Sequence, residues 1–184
     1  MKTIVRETKE TQIRIEIAEN GEDATAAAQI DTTLPYFDHM LSTFARYAGL
    51  TLKLHARGDL THHLIEDVAI TLGAAVASIV PASAVRYGEK TIPMDEALVQ
   101  AVIDIGGRPY YRGKVPNILY DHFMRSFSDN AKVTLHLRVI RGTNRHHIIE
   151  ACFKSLGLAL RQALVASGSG TVFSTKGVVA LEVK

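Results

Sequence analysis

Two adjacent histidine pairs, His62-His63 and His146-His147, each followed by a glutamate, Glu66 and Glu150, are the residues of this sequence best suited to chemistry. Neutral imidazole ligates Zn, Mn, Fe or Ni, and a carboxylate adds the harder oxygen that Mn and Mg prefer, so a mixed set favours a divalent transition metal. Residues three or four apart on a helix share a face. His62 or His63 could therefore hold one ion with Glu66, and His146 or His147 could do so with Glu150. Neighbouring helical positions diverge by about 100°, so two adjacent histidines serve two ions more naturally than one. His39 and His122, each following an aspartate, complete the candidate ligand set: His39, His62, His63, Glu66, His122, His146, His147 and Glu150. Eight donors suit two ions with four each and leave positions open for substrate or water.

An isolated histidine is more often an ordinary hydrogen-bonded residue than a ligand, and repetition is what changes the reading here. Asp38-His39-Met40 returns as Asp121-His122-Phe123, 83 positions on (residue 121 against 38), and Thr51-Leu52-Lys53-Leu54 returns at the same spacing as Thr134-Leu135-His136-Leu137. The two His-His-x-x-Glu segments, and Leu72-Gly73 with Leu156-Gly157, recur 84 positions apart (residue 146 against 62), which implies one residue added in the intervening turn. Four motifs kept in order mark a duplication. His55 and His136 stand outside it, because their repeat partners are Arg138 and Lys53, and both read as ordinary strand residues.

The elements that must position the ligands are legible from periodicity. Gln12 to Ala18 alternates Ile13, Ile15 and Ile17 with polar residues as a half-buried strand does, and Asn20-Gly21 reads as a hairpin turn. After Pro35 the apolar residues Phe37, Met40, Leu41, Phe44, Ala45 and Ala48 recur at helical spacing, with Gly49 as a left-handed stop. Thr51 to Arg57 is a strand, Gly58-Asp59 a turn, and His62 to Val80 a second helix. The unit is strand, helix, strand, helix, written twice. The expected fold is α+β: a single domain over 1–184 built of two sheet-and-helix repeats, about 1–84 and 85–184, related by pseudo-twofold symmetry.

Composition narrows the classes. A chain of 184 residues buries enough surface to fold without staples, and the single Cys152, within an apolar helical run, reads as packing. With no secretory signal apparent, a cytoplasmic location is expected. A net charge of +2, from 21 basic and 19 acidic residues interspersed along the chain, does not mark a nucleic-acid surface. The longest apolar stretch, Val68 to Ala82, is broken by polar residues and is too short to span a bilayer.

Asp38-His39-Met40-Leu41, His62-His63-x-x-Glu66-Asp67, Arg86-Tyr87-Gly88, Pro93-Met94-Asp95-Glu96-Ala97-Leu98, Gly107-Arg108-Pro109, the second-half motifs around His122 and His146, Phe153-Lys154 and Ser174-Thr175-Lys176-Gly177 together resemble the imidazoleglycerol-phosphate dehydratases. The resemblance covers nearly the whole chain. It implies a ribosomal protein S5 domain 2-like fold with helices between two sheets, two Mn ions per active site, and trimers assembled into a 24-subunit cage in which adjacent histidines reach ions shared between subunits. It also implies loss of water from imidazole glycerol phosphate to give imidazole acetol phosphate, a step of histidine biosynthesis that needs no redox cofactor. By the same resemblance Glu10 is the proton-transfer candidate, with Glu150 as rival, and Arg86, Arg108, Lys154, Ser174, Thr175 and Lys176 contact substrate, chiefly its phosphate. Thr43 and Leu64 depart from the family pattern. Two other functions fit the ligands alone: a dinuclear metallohydrolase, and a non-catalytic metal-dependent cage.

Overall fold

The structure, a computed structural model, describes residues 1–19 and 28–168. In chain order the elements are β1 (Lys2–Glu7), β2 (Thr11–Glu19), β3 (Gln29–Asp31), α1 (Pro35–Ala48), β4 (Leu50–Gly58), α2 (Thr61–Ile79), β5 (Tyr87–Met94), β6 (Ala97–Asp104), β7 (Tyr110–Arg112), α3 (Ile118–Ala131), β8 (Thr134–Arg141) and α4 (Arg145–Leu164). They form two four-stranded sheets of matching order, β1-β2-β4-β3 and β5-β6-β8-β7. Each half is thus a three-stranded antiparallel sheet with a short parallel edge strand, β3 on β4 and β7 on β8. The α+β fold of two duplicated halves expected from the sequence is the fold observed.

Strand alternation decides which face is buried. Ile13, Ile15 and Ile17 of β2 point inward while Gln12 and Arg14 point out, and Val99, Ala101 and Ile103 do the same for β6. Helices α1 and α2 pack on the first sheet, α3 and α4 on the second, and the helical layer between the sheets is joined across the halves by α1 against α4 and α2 against α3. Phe37, Phe44, Phe123, Phe127 and Phe153 fill that layer, with Phe37 edge-on to Phe123 at 5.6 Å and Phe44 edge-on to Phe127 at 5.7 Å.

The repeated Leu-Gly motif has a packing cause. A Cβ on Gly73 would lie 2.6 Å from the Phe127 carbonyl oxygen of α3, and one on Gly157 would lie 2.8 Å from the Phe44 carbonyl oxygen of α1. Only a residue without a side chain lets the backbones approach this closely. The repeated aspartates also have a local task. Asp38 accepts hydrogen bonds from the Thr32 amide (2.9 Å) and hydroxyl (2.6 Å), and Asp121 from the Val115 amide and Tyr111 hydroxyl (both 2.8 Å), tying each incoming segment to the first turn of α1 or α3.

Three expectations need correction. The residue that changes the repeat offset is not in a turn: Leu98 pairs with Arg141 and Val99 with Val139, so Ile140 is bulged out of β8. Asn20-Gly21 lies outside the described residues, but the strand that follows, β3, pairs in parallel with β4 instead of folding back as a hairpin onto β2. The unit also contains more strands than strand, helix, strand, helix, since each half adds an edge strand before the first expected strand and a three-residue strand after it. Gly49, by contrast, is the expected left-handed stop of α1, at φ 66°.

Candidate metal centre

The helix crossings assemble two groups of ligands, and each group draws on both halves. His39 of α1 meets His146 and Glu150 of α4, and His122 of α3 meets His62 and Glu66 of α2; within each group the donor atoms lie within 4.8 Å of one another. In the first, Glu150 Oε2 is 3.4 Å from His39 Nε2 and 3.1 Å from His146 Nε2. In the second, Glu66 is 3.5 Å from His62 Nε2 through Oε2 and 3.7 Å from His122 Nε2 through Oε1. Ligand bonds of ~2.1 Å put neighbouring donor atoms ~3.0–3.4 Å apart, so both clusters are near the spacing a divalent ion requires, and the His-His-carboxylate donor set suits one. The groups contain His62 and His146, the i, i+4 partners of Glu66 and Glu150, and not His63 or His147.

The groups are not identical. Glu150 is 9 % exposed, and its Oε1 accepts from the Lys154 ammonium at 2.7 Å, leaving Oε2 for the histidines. Burial alone would raise the Glu150 carboxyl, but Lys154 and His39 outweigh it and hold it below the usual carboxylate range. The repeat position of Lys154 is Ile70, so Glu66 has no such partner and is 35 % exposed.

His63 and His147 point away from these groups, as the divergence of neighbours on a helix demands. Among the described residues neither joins a three-ligand group. Each has its Nδ1 tied to a carboxylate, His63 to Asp59 at 2.8 Å and His147 to Glu96 at 2.6 Å. These bonds raise the basicity of both rings; His147 Nε2 lies 3.5 Å from Asp95 Oδ2 and 3.5 Å from Asn144 Nδ2. Asp59 and Glu96 were not among the candidates from sequence; the i, i+4 spacing of Asp59 and His63 was an available signal, whereas Glu96 reaches His147 only through the fold.

Glu10 sits in the turn between β1 and β2, not on the strand, with Oε2 3.7 Å from His63 Nδ1. Its counterpart in the β5–β6 turn is Glu96. That carboxylate accepts from the backbone amides of Thr143 (3.1 Å) and Asn144 (2.7 Å) as well as from His147, and its pKa is pushed down to about 2, chiefly by His147. In the first half Asp59 orients the histidine instead. Two equivalent glutamates therefore have different surroundings, one hydrogen-bonded by Thr143, Asn144 and His147 and one with His63 Nδ1 3.7 Å away.

The other candidates are dispersed. Arg86, just before β5, is bidentate on Asp104, with Nε to Oδ1 at 2.7 Å and Nη2 to Oδ2 at 3.0 Å. Its amide donates to Ala163 at the far end of α4, 17 residues from His146, which is ~25 Å along a helix. Arg108 is exposed in the turn after β6. Lys154 is engaged by Glu150 and lies 5.6 Å from the Tyr47 ring. Ser174, Thr175 and Lys176 lie outside the described residues. Thr43 and Leu64 are both buried in the core layer, and Cys152 is buried in α4, where burial pushes its thiol up to about 12. Tyr36, also unforeseen, places its ring 5.4 Å from that of His146. A surface cleft of about 970 Å³ on the outer face of the second sheet, between Tyr110, Arg112, His136 and Arg138, contains none of the ligand groups.

Comparison with known proteins agrees with this geometry. The sequence model of imidazoleglycerol-phosphate dehydratase matches residues 32–160. Proteins of that name from Dictyoglomus thermophilum and Methanococcoides burtonii are 43 % and 44 % identical, each over 96 % of this chain and 97 % of their own length. The crystal structure of the Pyrococcus furiosus protein superposes with a TM-score of 0.84 at 38 % identity, covering 96 % of this chain and 100 % of its own. That from Staphylococcus aureus gives 0.79 at 35 % identity, covering 90 % and 98 %. No helix among the described residues is long and apolar enough to cross a membrane. With ligand groups, duplicated sheets and full-length likeness in agreement, the chain belongs to the imidazoleglycerol-phosphate dehydratase family.

Proposed function

We propose that this protein dehydrates imidazole glycerol phosphate to imidazole acetol phosphate in histidine biosynthesis, as a single cytoplasmic domain active in an oligomer. The observation that carries this reading is the pair of His-His-Glu groups, built twice by the same helix crossing, in a chain of this family. His39, His146 and Glu150 would hold one ion, and His62, Glu66 and His122 a second. His63 and His147, outside both groups and with Nδ1 already engaged, would complete the sites of neighbouring subunits through Nε2. Two Mn ions per active site suit this mixture of imidazole and carboxylate. When bound, they supply positive charge that orients the substrate imidazole and stabilises electron density gathered on its ring.

The protein's own groups then have separable tasks. The ketone carbon of the product keeps its oxygen, so hydroxide leaves the carbon attached to the ring and a proton leaves the adjacent carbon. Glu10 Oε2 takes that proton: it is the turn carboxylate left exposed, whereas Glu96 is committed to Thr143, Asn144 and His147. The enol then tautomerises, accepting a proton at the carbon beside the ring. Arg86, Arg108 and Lys154, with Ser174, Thr175 and Lys176, are proposed for the substrate phosphate. The ~25 Å between Arg86 and His146 along α4 supports drawing them from more than one subunit, in accord with a trimer-based cage of 24 subunits.

The test is the product. Mn-loaded protein incubated with imidazole glycerol phosphate should yield a species lighter by one water with its phosphate ester intact. Release of inorganic phosphate would instead identify a hydrolase, and no turnover in a metal-dependent assembly would identify a scaffold.

A further inference from the structure

The turn that carries Glu10 is held by a chain of hydrogen bonds whose direction is set from inside the protein. Asp67 of α2, buried, accepts from the Thr11 hydroxyl at 2.5 Å and from Arg6 Nη2 at 3.0 Å. An ionised carboxylate can only accept, so the Thr11 proton is committed to Asp67 and the Thr11 oxygen is free to accept from the Thr8 hydroxyl, 3.1 Å away. The Thr8 oxygen in turn accepts from the backbone amides of Glu10 (3.1 Å) and Thr11 (2.9 Å). On the other side the Glu10 carbonyl accepts from the Asp59 amide at 3.0 Å. The Glu10 carbonyl is thereby tied directly to the turn before α2, and its amide, through Thr8 and Thr11, to Asp67 within α2.

The duplicated half shows that folding does not need this network. A Cβ on Gly58 would touch Thr11 and Leu64, and a Cβ on Gly142 would touch Ala97 and Ile148, so Ala97 occupies the place of Thr11. Arg6 faces Ile13 across β1 and β2 as Ile92 faces Val99 across β5 and β6, and Asp67 lies 84 positions before Ala151. The equivalent positions of the second half are Ile92, Ala97 and Ala151, none of them polar. The first half accepts a partly buried ion pair, with the Asp67 side chain 12 % and the Arg6 side chain 38 % exposed, that also leaves Arg6 Nε buried with no hydrogen-bond partner among the described residues. A pair with one partner this exposed contributes little, and the equivalent positions of the second half do without it, so stability does not explain its presence. What distinguishes the first half is that its turn glutamate is loosely held: Glu96 is hydrogen-bonded through its own carboxylate, whereas the Glu10 carboxylate has the 3.7 Å approach of His63 Nδ1 and is fixed chiefly through its backbone.

We propose that Asp67, with Arg6 and Thr11, is a positioning residue for Glu10: it fixes the β1–β2 turn so that a carboxylate left free for proton transfer still presents itself beside His63. This rests on the reading of Glu10 as the proton-transfer group.

The experiment compares Mn-loaded variants on imidazole glycerol phosphate, each checked for metal content and particle size. Arg6→Ile/Thr11→Ala/Asp67→Ala installs the residues of the second half and should fold and retain metal. Its kcat should fall ~10- to 100-fold, the scale of a misplaced reacting group, with KM changed by less than ~3-fold. Thr11→Val, which keeps the shape and loses the hydroxyl, should show the same split, and Thr11→Ser should restore kcat. Glu10→Gln should lose ~10²-fold or more, and adding the triple substitution to it should cost nothing further, because both act on one group. A triple variant and Thr11→Val that turn over at the wild-type rate while Glu10→Gln does not would overturn the positioning role and leave Glu10 in place. Normal turnover by Glu10→Gln would overturn both claims. Losses that multiply in the combined variant would overturn the route through Glu10.

Discussion

If the glycine crossings build the ligand groups, Gly157→Ala should damage one group and spare the other. The new Cβ would stand 2.8 Å from the Phe44 carbonyl oxygen, 3.0 Å from the Ala48 nitrogen and 3.1 Å from the Tyr47 Cβ. Two of these three atoms are backbone, which cannot rotate away, so α1 must retreat from α4 by ~0.5 Å to restore ordinary contact of ~3.4 Å. Overpacking of this kind costs ~1–3 kcal/mol, and the gain in helix propensity from Gly to Ala, about 1 kcal/mol, offsets part of it. A net loss of up to ~2 kcal/mol should appear in urea denaturation of the metal-free protein. A rigid retreat also lengthens the 3.4 Å between His39 and Glu150 to ~3.9 Å, past the ~3.0–3.4 Å at which ligand bonds of ~2.1 Å at ordinary angles hold neighbouring donors. Calorimetric titration with Mn should then show one class of site weakened ~10-fold or more and the other unchanged. Gly73→Ala, whose Cβ would meet Phe127 and Ala131 backbone atoms at 2.6 and 2.8 Å, should do the same to the His62, Glu66 and His122 group. A Gly157→Ala protein that is more stable than wild type, as propensity alone dictates, and binds both ions normally would refute the reasoning.

Glu150→Gln should lose one ion and also destabilise the metal-free protein by ~2–4 kcal/mol, since Lys154, 14 % exposed, is left without its counterion. Adding Lys154→Met should recover stability but not metal. Because the folded Glu150 pKa lies below its ordinary 4.5, its contribution is present above that value and lost as pH falls through the folded one, so the stability gap between wild type and Glu150→Gln should close in acid. His62→Ala and His146→Ala should each lower metal content and activity alike, whereas His55→Ala, on β4 beside Asp31, should keep both ions by elemental analysis. Complete chelation should shrink the particle on sizing, and an unchanged size would exclude metal-driven assembly.

The helices and the ligands were legible in the sequence for the same reason: both repeat. The periodicity of α1 and α2, the stop at Gly49 and the recurring His-His-x-x-Glu segments are local patterns that survive without tertiary context. Edge strands were not legible. β1 has a weak alternation because only one face is partly covered, β5 carries Pro93 as an edge strand can, and β3 and β7 are three residues each. Which histidine of each pair joins Glu66 or Glu150 was left open by helical spacing and decided by where α1 and α3 cross. The Asp67 network was invisible for a different reason: its significance lies in the contrast with Ala151, and that contrast has meaning only once the two halves can be superposed strand by strand.

The most direct test of the two duplicated centres is anomalous diffraction at the Mn edge from crystals of the Mn-loaded protein. Two peaks per chain are expected, one within ~2.2 Å of donor atoms of His39, His146 and Glu150 and one equally close to His62, Glu66 and His122, with His63 and His147 Nε2 reaching the ions of neighbouring subunits. Peaks at neither cluster, or a single ion held by both adjacent histidines of one helix, would contradict it.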